Sequence, residues 1–346
     1  MADAMTGTRW PERNLEDLCH CPLCGSRKRA LLYRSLSDES FRSAPGKWSL
    51  WSCSACATAY LDPRPDEKSI RRAYENYYTH DDRDPPPDKS LIGLWRTRLG
   101  NGYRNARYGL ELKPASRFGL VIASLVPPLR WPADLALRYL PAADRGSRVL
   151  DVGCGSGGWL MSALQARWEV AGVEPDPTAR RLGLERGLDI RETLADFAGE
   201  TFDAITLNHV IEHVHDPIAT LRECRNRLRR TGMIFIDTPN IDSVGHRIYG
   251  RHWRGLEAPR HLVLFNRSSL THALQLAGFG HIRFRRRFYP IRYIERQSRL
   301  AAAGLDPYSA TAPPPDGRRF GLLGILKATF SNDRTEFLTV TASSCS

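Results

Sequence analysis

Apolar and polar positions fall into two rhythms along the 346 residues. From residue 148 onward, short apolar runs alternate with stretches in which apolar residues recur every three or four positions, the mark of strands and amphipathic helices in turn. Runs at 148–152, 169–174, 188–191, 202–208 and 233–237 read as successive strands. Trp159, Leu160, Met161, Ala163 and Leu164 carry a helical rhythm after the first of them. Asp176-Pro177 starts the next helix with a cap and a proline in its first turn, and Gly187 closes it. Another helix opens at Asp216-Pro217 and runs to the turn Thr231-Gly232, and a third passes through Leu270, Leu274 and Ala277 to Gly278. Strands at 279–288 and 337–341 complete the pattern. Strands alternating with helices predict an α/β, doubly wound sheet.

The chain ahead of this region reads differently. In Lys47-Trp48-Ser49-Leu50-Trp51-Ser52 apolar and polar residues alternate, which predicts a strand, and a short helix with Ile70, Ala73 and Tyr74 follows. The prolines and like charges of 80–88 predict a linker. Residues 91–140 have a helical pattern broken at Pro114, Pro127, Pro128 and Pro132. Within them, 118–126 is an apolar stretch too short to span a bilayer; it is expected to be a buried helix, with an interfacial helix or lid beside a lipid-linked substrate as the alternative. The predicted organisation is a module over 1–78, a linker and helical segment over 79–145, and an α/β domain over 146–346. An insertion at about 289–334 contains Pro313-Pro314-Pro315 and the apolar run 320–326 and is expected to cap the site.

Cysteine usage adds a metal to this picture. Cys21 and Cys24 form one CxxC pair and Cys53 and Cys56 a second, enough for four thiolates around a structural zinc, so the first module reads as a zinc ribbon; Cys19 lies close to the set. No apolar run reaches the ~18 residues of a membrane span and the first residues have no apolar signal core, so the expected location is cytoplasmic. The net charge of +12, with clusters at 222–230 and 283–287, fits a solvated basic surface and leaves acidic substrates and anionic lipid headgroups open, the latter as peripheral contact with the inner face of a membrane. Nucleic acid is not favoured.

The candidate chemistry begins at Asp151-Val152-Gly153-Cys154-Gly155-Ser156-Gly157-Gly158, a glycine turn between a strand and a helix. Glycines let a ligand approach the backbone, and the helix start offers unpaired NH groups. Gly153, Gly155 and Gly158 also spell the dinucleotide pattern GxGxxG, which alone is weak. Asp151 tips the reading, since a carboxylate there repels a pyrophosphate and suits a ligand bearing an ammonium and a sulfonium. Glu174 ends the next strand about twenty residues on, where an acid meets ribose hydroxyls.

Taken together, DVGCGSGG followed by GVEPD resembles the class I S-adenosylmethionine-dependent methyltransferases. FDAITLNHVIEHVHDP, GMIFIDTPN and RHLVLF are similar to the ubiquinone-type O-methyltransferase branch. The resemblance implies a Rossmann-like sheet of seven strands, with Asp151, Gly153, Cys154, Gly155, Gly157, Glu174, Asn208 and His209 around the cofactor. Some members of that branch, and small-RNA 2'-O-methyltransferases, carry ExxEH and a later histidine as a divalent-metal site. The matching positions here are His209, Glu212, His213 and His261, with histidine in place of the first glutamate. If this loop winds helically, His209 and His213 share one face at i and i+4.

His213 or His261 is then the expected base, with Glu212 beside them, for O-methylation of a sugar, glycolipid or other small-molecule hydroxyl. The N-terminal CxxC module resembles that of methyltransferases found with sugar and polysaccharide pathways, which keeps sugar C-methylation as an alternative. A nicotinamide oxidoreductase and a non-catalytic zinc-ribbon scaffold are the rival classes.

Overall fold

The structure is a computed structural model and describes residues 9–75, 90–286, 291–309 and 333–344. The predicted linker at 80–88 and the proline and apolar runs of the insertion lie outside the described residues.

The first segment supplies β1 (Leu15–Glu16), β2 (Arg29–Leu36), β3 (Trp48–Cys53), β4 (Ala59–Leu61) and β5 (Arg64–Pro65), then a 3-10 turn at Ile70–Tyr74. The helical segment gives α1 (Leu91–Tyr108), α2 (Gly119–Leu125) and α3 (Trp131–Ala136), separated at the predicted prolines. The α/β region follows as β6 (Arg148–Val152), α4 (Gly158–Gln165), β7 (Glu169–Val173), α5 (Pro177–Glu185), β8 (Asp189–Arg191), β9 (Phe202–Asn208), α6 (Pro217–Arg227) and β10 (Leu228–Pro239). It closes with α7 (Val244–Tyr249), β11 (Val263–Leu264), α8 (Arg267–Leu276), β12 (Phe279–Phe284), α9 (Ile291–Ala302) and β13 (Phe337–Ser344).

Seven strands form one sheet in the order β12-β13-β10-β9-β6-β7-β8. The core strands β8, β7, β6, β9 and β10 are parallel, and β13 inserts antiparallel between β10 and β12. Chain order reverses between β6 and β9, which opens a crevice at their carboxyl ends, where ligands bind in such sheets. Asp176 and Asp216 cap α5 and α6 through their side chains, as the Asp-Pro pairs predict.

The N-terminal module does not stand apart from this sheet. β2, β3 and β4 form an antiparallel sheet whose fourth strand is β11, contributed from far along the chain, with Val263 opposite Tyr60. Cys21, Leu23, Cys53 and Tyr60 belong to the same buried cluster as Leu150, Ile205 and Ile236 of the central strands. Arg260 is fully buried and donates to Asp38 Oδ2 at 2.9 Å, while Asp38 accepts the backbone NH groups of Phe41, Ser43 and Ala44. A buried charge must be paired, so this contact fixes the module against the segment that carries His261 into β11.

The stretch 118–126 departs from the expected buried helix. In α2 only Gly119 and Ala123 are buried, while Phe118, Val121 and Leu125 face outward.

Candidate active site

A cavity of about 1460 Å³ opens where the carboxyl ends of β6, β7, β9 and β10 meet the N-terminal module. Its floor is the glycine turn. Gly153 has φ +70° and a Cβ there would come within 2.5 Å of Val210, so only glycine lets β6 turn beneath the loop after β9. Gly155, at φ +55°, has open space where a side chain would be, and its NH donates to Glu174 Oε2 at 2.8 Å. Glu174 Oε1 accepts the Asp176 NH at 2.9 Å, so two backbone donors aim this carboxylate at the cavity wall. Burial raises its pKa, and the two NH groups oppose the rise.

Of the residues expected at the cofactor, Gly153, Cys154, Gly155, Glu174, Asn208 and His209 line the cavity. Asp151 and Gly157 are not among the lining residues. Asp151 is 1% exposed and its Oδ1 accepts from Arg138 and from Thr206 Oγ1, beneath the turn. Its charge therefore reaches the cavity only at one remove and is shared with Arg138. Gly157 caps α4, where a Cβ would strike Leu188 at 2.2 Å and meet Ile190 of β8 at 3.4 Å, so its lack of a side chain lets the helix start pack closely there.

The loop after β9 is a turn and not a helix. His209 adopts φ +56°, and its NH donates to the Asp237 carbonyl at 2.8 Å, which draws the chain across β10 before a helical turn can form. The expected i, i+4 face is thus absent, yet the loop still gathers its ionisable groups. The Glu212 carbonyl accepts the NH groups of Leu262 and Val263 at 2.8 and 3.2 Å and so sets His213 beside His261, with ring centroids 4.7 Å apart. Glu212, His213 and His261 offer ligand atoms all within 4.8 Å of one another. His209 stands to one side, its Nδ1 3.3 Å from Glu212 Oε1, while Thr238 donates to Oε2 at 2.9 Å.

Hydrogen bonds define the tautomers of the two histidines. The Arg260 carbonyl lies 3.0 Å from His213 Nδ1 and the Gly255 carbonyl 2.8 Å from His261 Nδ1, so each Nδ1 carries a proton and each Nε2 the lone pair. Burial of Glu212 opposes ionisation, but the hydrogen bond with His209 and the surrounding imidazoles hold its carboxyl down at about 2. Burial dominates at His261, whose pKa falls to about 4 although Glu257 lies 3.6 Å from its Nε2.

Four contributors were not foreseen from sequence. Tyr74, from the turn that leaves the ribbon, places its hydroxyl 2.9 Å from His213 Nδ1. Trp253, Glu257 and Glu336 also line the cavity, and Glu336 accepts from Trp253 Nε1 at 2.8 Å and the Gly245 NH at 2.7 Å. No local pattern marks them, since they reach the site from segments far apart in the chain. Eight acidic side chains and three arginines line the cavity in a protein of net charge +12, so the lining differs in sign from the chain as a whole. S-adenosylmethionine, which carries an ammonium and a sulfonium, suits that donor set and the Glu174 carboxylate.

The ribbon cysteines come together as expected. The sulfurs of Cys21, Cys24, Cys53 and Cys56 lie within 4.8 Å of one another, with Cys21–Cys56 and Cys24–Cys53 at 3.5 Å. Zinc–sulfur bonds of ~2.3 Å require tetrahedral edges of ~3.8 Å, so the four thiolates fit one zinc ion with little movement. Cys19 is exposed and outside the cluster.

Sheet order, glycine turn and the acid after β7 together define a Rossmann-like α/β domain. Residues 129–282 match the family profile described as a methyltransferase domain. The ubiquinone biosynthesis O-methyltransferase of Parvibaculum lavamentivorans is 43% identical over 110 residues, which are 29% of this chain and 43% of that protein. That of Xanthomonas axonopodis is 36% identical over 127 residues, 33% of this chain and 52% of the relative. The chain spans about half the length of these curated relatives. Among solved structures, a SAM-dependent methyltransferase from Archaeoglobus fulgidus is 18% identical with a TM-score of 0.41, covering 69% of this chain and 97% of that one.

Proposed function

We propose that the protein transfers a methyl group from S-adenosylmethionine to a hydroxyl of a small-molecule acceptor, a sugar, glycolipid or related alcohol, with His213 as general base. The observation that carries this reading is the pair of cavity-lining histidines, each with its Nδ1 proton committed to a backbone carbonyl, set in a cavity of acidic lining. When bound, the cofactor supplies an electrophilic methyl carbon attached to a good thioether leaving group. The chain's own task is alignment of the hydroxyl and removal of its proton as the C–S bond breaks and the O–C bond forms. His213 Nε2 accepts that proton, Arg260 and Tyr74 hold the ring, and the buried Glu212 carboxylate stabilises the imidazolium. His261, kept neutral by burial, is a poorer proton acceptor than a free imidazole.

Glu174 and the backbone of Gly153 to Gly155 would hold the cofactor, and Asn208 and His209 would border its methionine end. The names of the curated relatives favour O-methylation over sugar C-methylation. The acidic lining disfavours a dinucleotide pyrophosphate and with it an oxidoreductase. A second reading rests on the cluster of Glu212, His213 and His261: ring NH groups donated to carbonyls are also how metal-binding histidines are oriented, so a divalent cation there would acidify the hydroxyl in place of a base.

Calorimetry and turnover test these readings together. S-adenosylhomocysteine should bind and NADH should not, and a methyl-transfer screen of glycolipids, nucleotide sugars and quinol precursors identifies the acceptor. His213→Ala should keep cofactor affinity and lose roughly 10²- to 10⁴-fold in turnover. Chelators that spare the ribbon cysteines' metal should leave the wild type unaffected. Turnover lost on chelation and restored by a divalent ion selects the metal reading instead, and NADH binding without S-adenosylhomocysteine binding rejects both.

A further inference from the structure

We propose that α1 and α2 form a platform that docks on an anionic membrane surface, an interaction that does not rest on the reaction assigned above. Eighteen large apolar side chains are exposed among the described residues, and ten of them lie between Leu91 and Leu129. Clustering of this kind in a ninth of the chain marks an interaction surface, whereas single exposed apolar residues need no explanation. On α1, Leu91 is 87% exposed, Ile92 73% and Trp95 57%; on and beside α2, Leu125 is 77%, Val121 56% and Phe118 54% exposed.

The two helices are a rigid pair. At Gly102 a Cβ would meet the Ser116 carbonyl oxygen at 1.8 Å and at Gly119 the Leu99 carbonyl oxygen at 2.3 Å, so the backbones touch where only glycine fits. Below them, Tyr103 and Tyr108 of α1 both donate to the buried Asp134 of α3, at 2.6 and 2.8 Å, and share a buried cluster with Val149 of β6. The outward apolar side chains are therefore presented by a fixed support.

Charge identifies the occupant. Residues 90–130 contain Arg96, Arg98, Arg104, Arg107, Lys113, Arg117 and Arg130, with Glu111 the sole acid. Apolar residues that enter the acyl boundary, interspersed with arginines that reach phosphates, are the combination that binds anionic lipid. A second copy of the chain is a poor fit, because each copy would bring the same net positive segment to the contact. No helix among the described residues is long and apolar enough to cross a membrane, so the contact is with its surface.

Sedimentation of the full chain with vesicles tests the proposal. Phosphatidylglycerol-containing vesicles should bind the protein at least tenfold more tightly than phosphatidylcholine vesicles, with the preference reduced in high salt. The triple variant Trp95→Ser, Val121→Ser, Leu125→Ser should lose most of this binding and keep its zinc and its S-adenosylhomocysteine affinity. Hydrogen exchange of the wild type gives a measure independent of any variant: amides and side-chain-adjacent sites over 91–129 should gain protection when the anionic vesicles are added. Absence of binding to either vesicle overturns the proposal. Concentration-dependent dimerisation abolished by the same triple variant assigns the face to a second copy and also overturns it.

Discussion

Glu174 follows β7 with one backbone NH on each carboxylate oxygen, which fixes its direction and leaves further lone pairs toward the cavity. Glutamine keeps the shape but loses the charge and one acceptor. Glu174→Gln should weaken S-adenosylhomocysteine binding by about 1.5–3 kcal/mol, the worth of charge-assisted hydrogen bonds, measured by titration calorimetry on folded protein. Glu336 behaves differently. Burial lifts its carboxyl from 4.5 to about 7, against the pull of the Trp253 indole and the Gly245 NH. The folded chain then keeps a proton that the unfolded chain releases. The resulting stability is fully present below the unfolded value and is lost as pH rises through the folded one, on the order of 3 kcal/mol in all. Glu336→Gln should remove a loss of stability between pH 5 and pH 8, read as the difference from the wild type because the depressed His261 acts in the opposite direction over part of that window. An unchanged pH dependence in the variant would place the titration elsewhere.

Elements differ in how much of their geometry is local. The two cysteine knuckles are short-range structures, each closed within its own CxxC turn, and the pairing of β2 with β3 brings the two together. One tightly held zinc is expected per chain. Cys53→Ser with Cys56→Ser should bring the metal content of protein purified without added zinc from one equivalent to near zero, because two ligands do not make a closed site. The β9 loop shows the opposite case. Its sequence satisfies a helical spacing of His209 and His213 as well as it satisfies a turn, and the bond from the His209 NH to Asp237 on a neighbouring strand decides between them. Likewise the apolar content of 118–126 signals burial, but the pairing of α2 with α1 at glycines leaves those side chains outside.

Across the whole molecule, ribbon and α/β sheet share a strand pairing, a buried ion pair and one apolar cluster. Units joined in this way unfold together. Far-ultraviolet dichroism, which reports the helices, and tryptophan fluorescence, to which Trp48 and Trp51 of the ribbon contribute, should give coincident denaturant transitions. Zinc removal should lower both midpoints by the same amount. Two separated transitions would show that the ribbon is an independent domain. The same joint explains why the ribbon bears on the site: the turn that leaves it carries Tyr74 to His213.

The sequence by itself determined the alternation of strands and helices, the capped helix starts, the glycine turn with Asp151 and Glu174, and the four cysteines, because each depends on contacts within a few residues or on a spacing that a ligand imposes. It also named both histidines. Only the tertiary structure decided that Asp151 is spent on Arg138 beneath the turn, that Glu212 lies behind His213 and His261 and not at the cavity surface, and that Tyr74, Trp253 and Glu336 complete the wall. The last of these placements follow from the pairing of β11 with β4 and of β13 with β10, which join residues up to about two hundred positions apart. Non-local pairings leave no period in the sequence, so the residues they deliver to the cavity have nothing local to announce them.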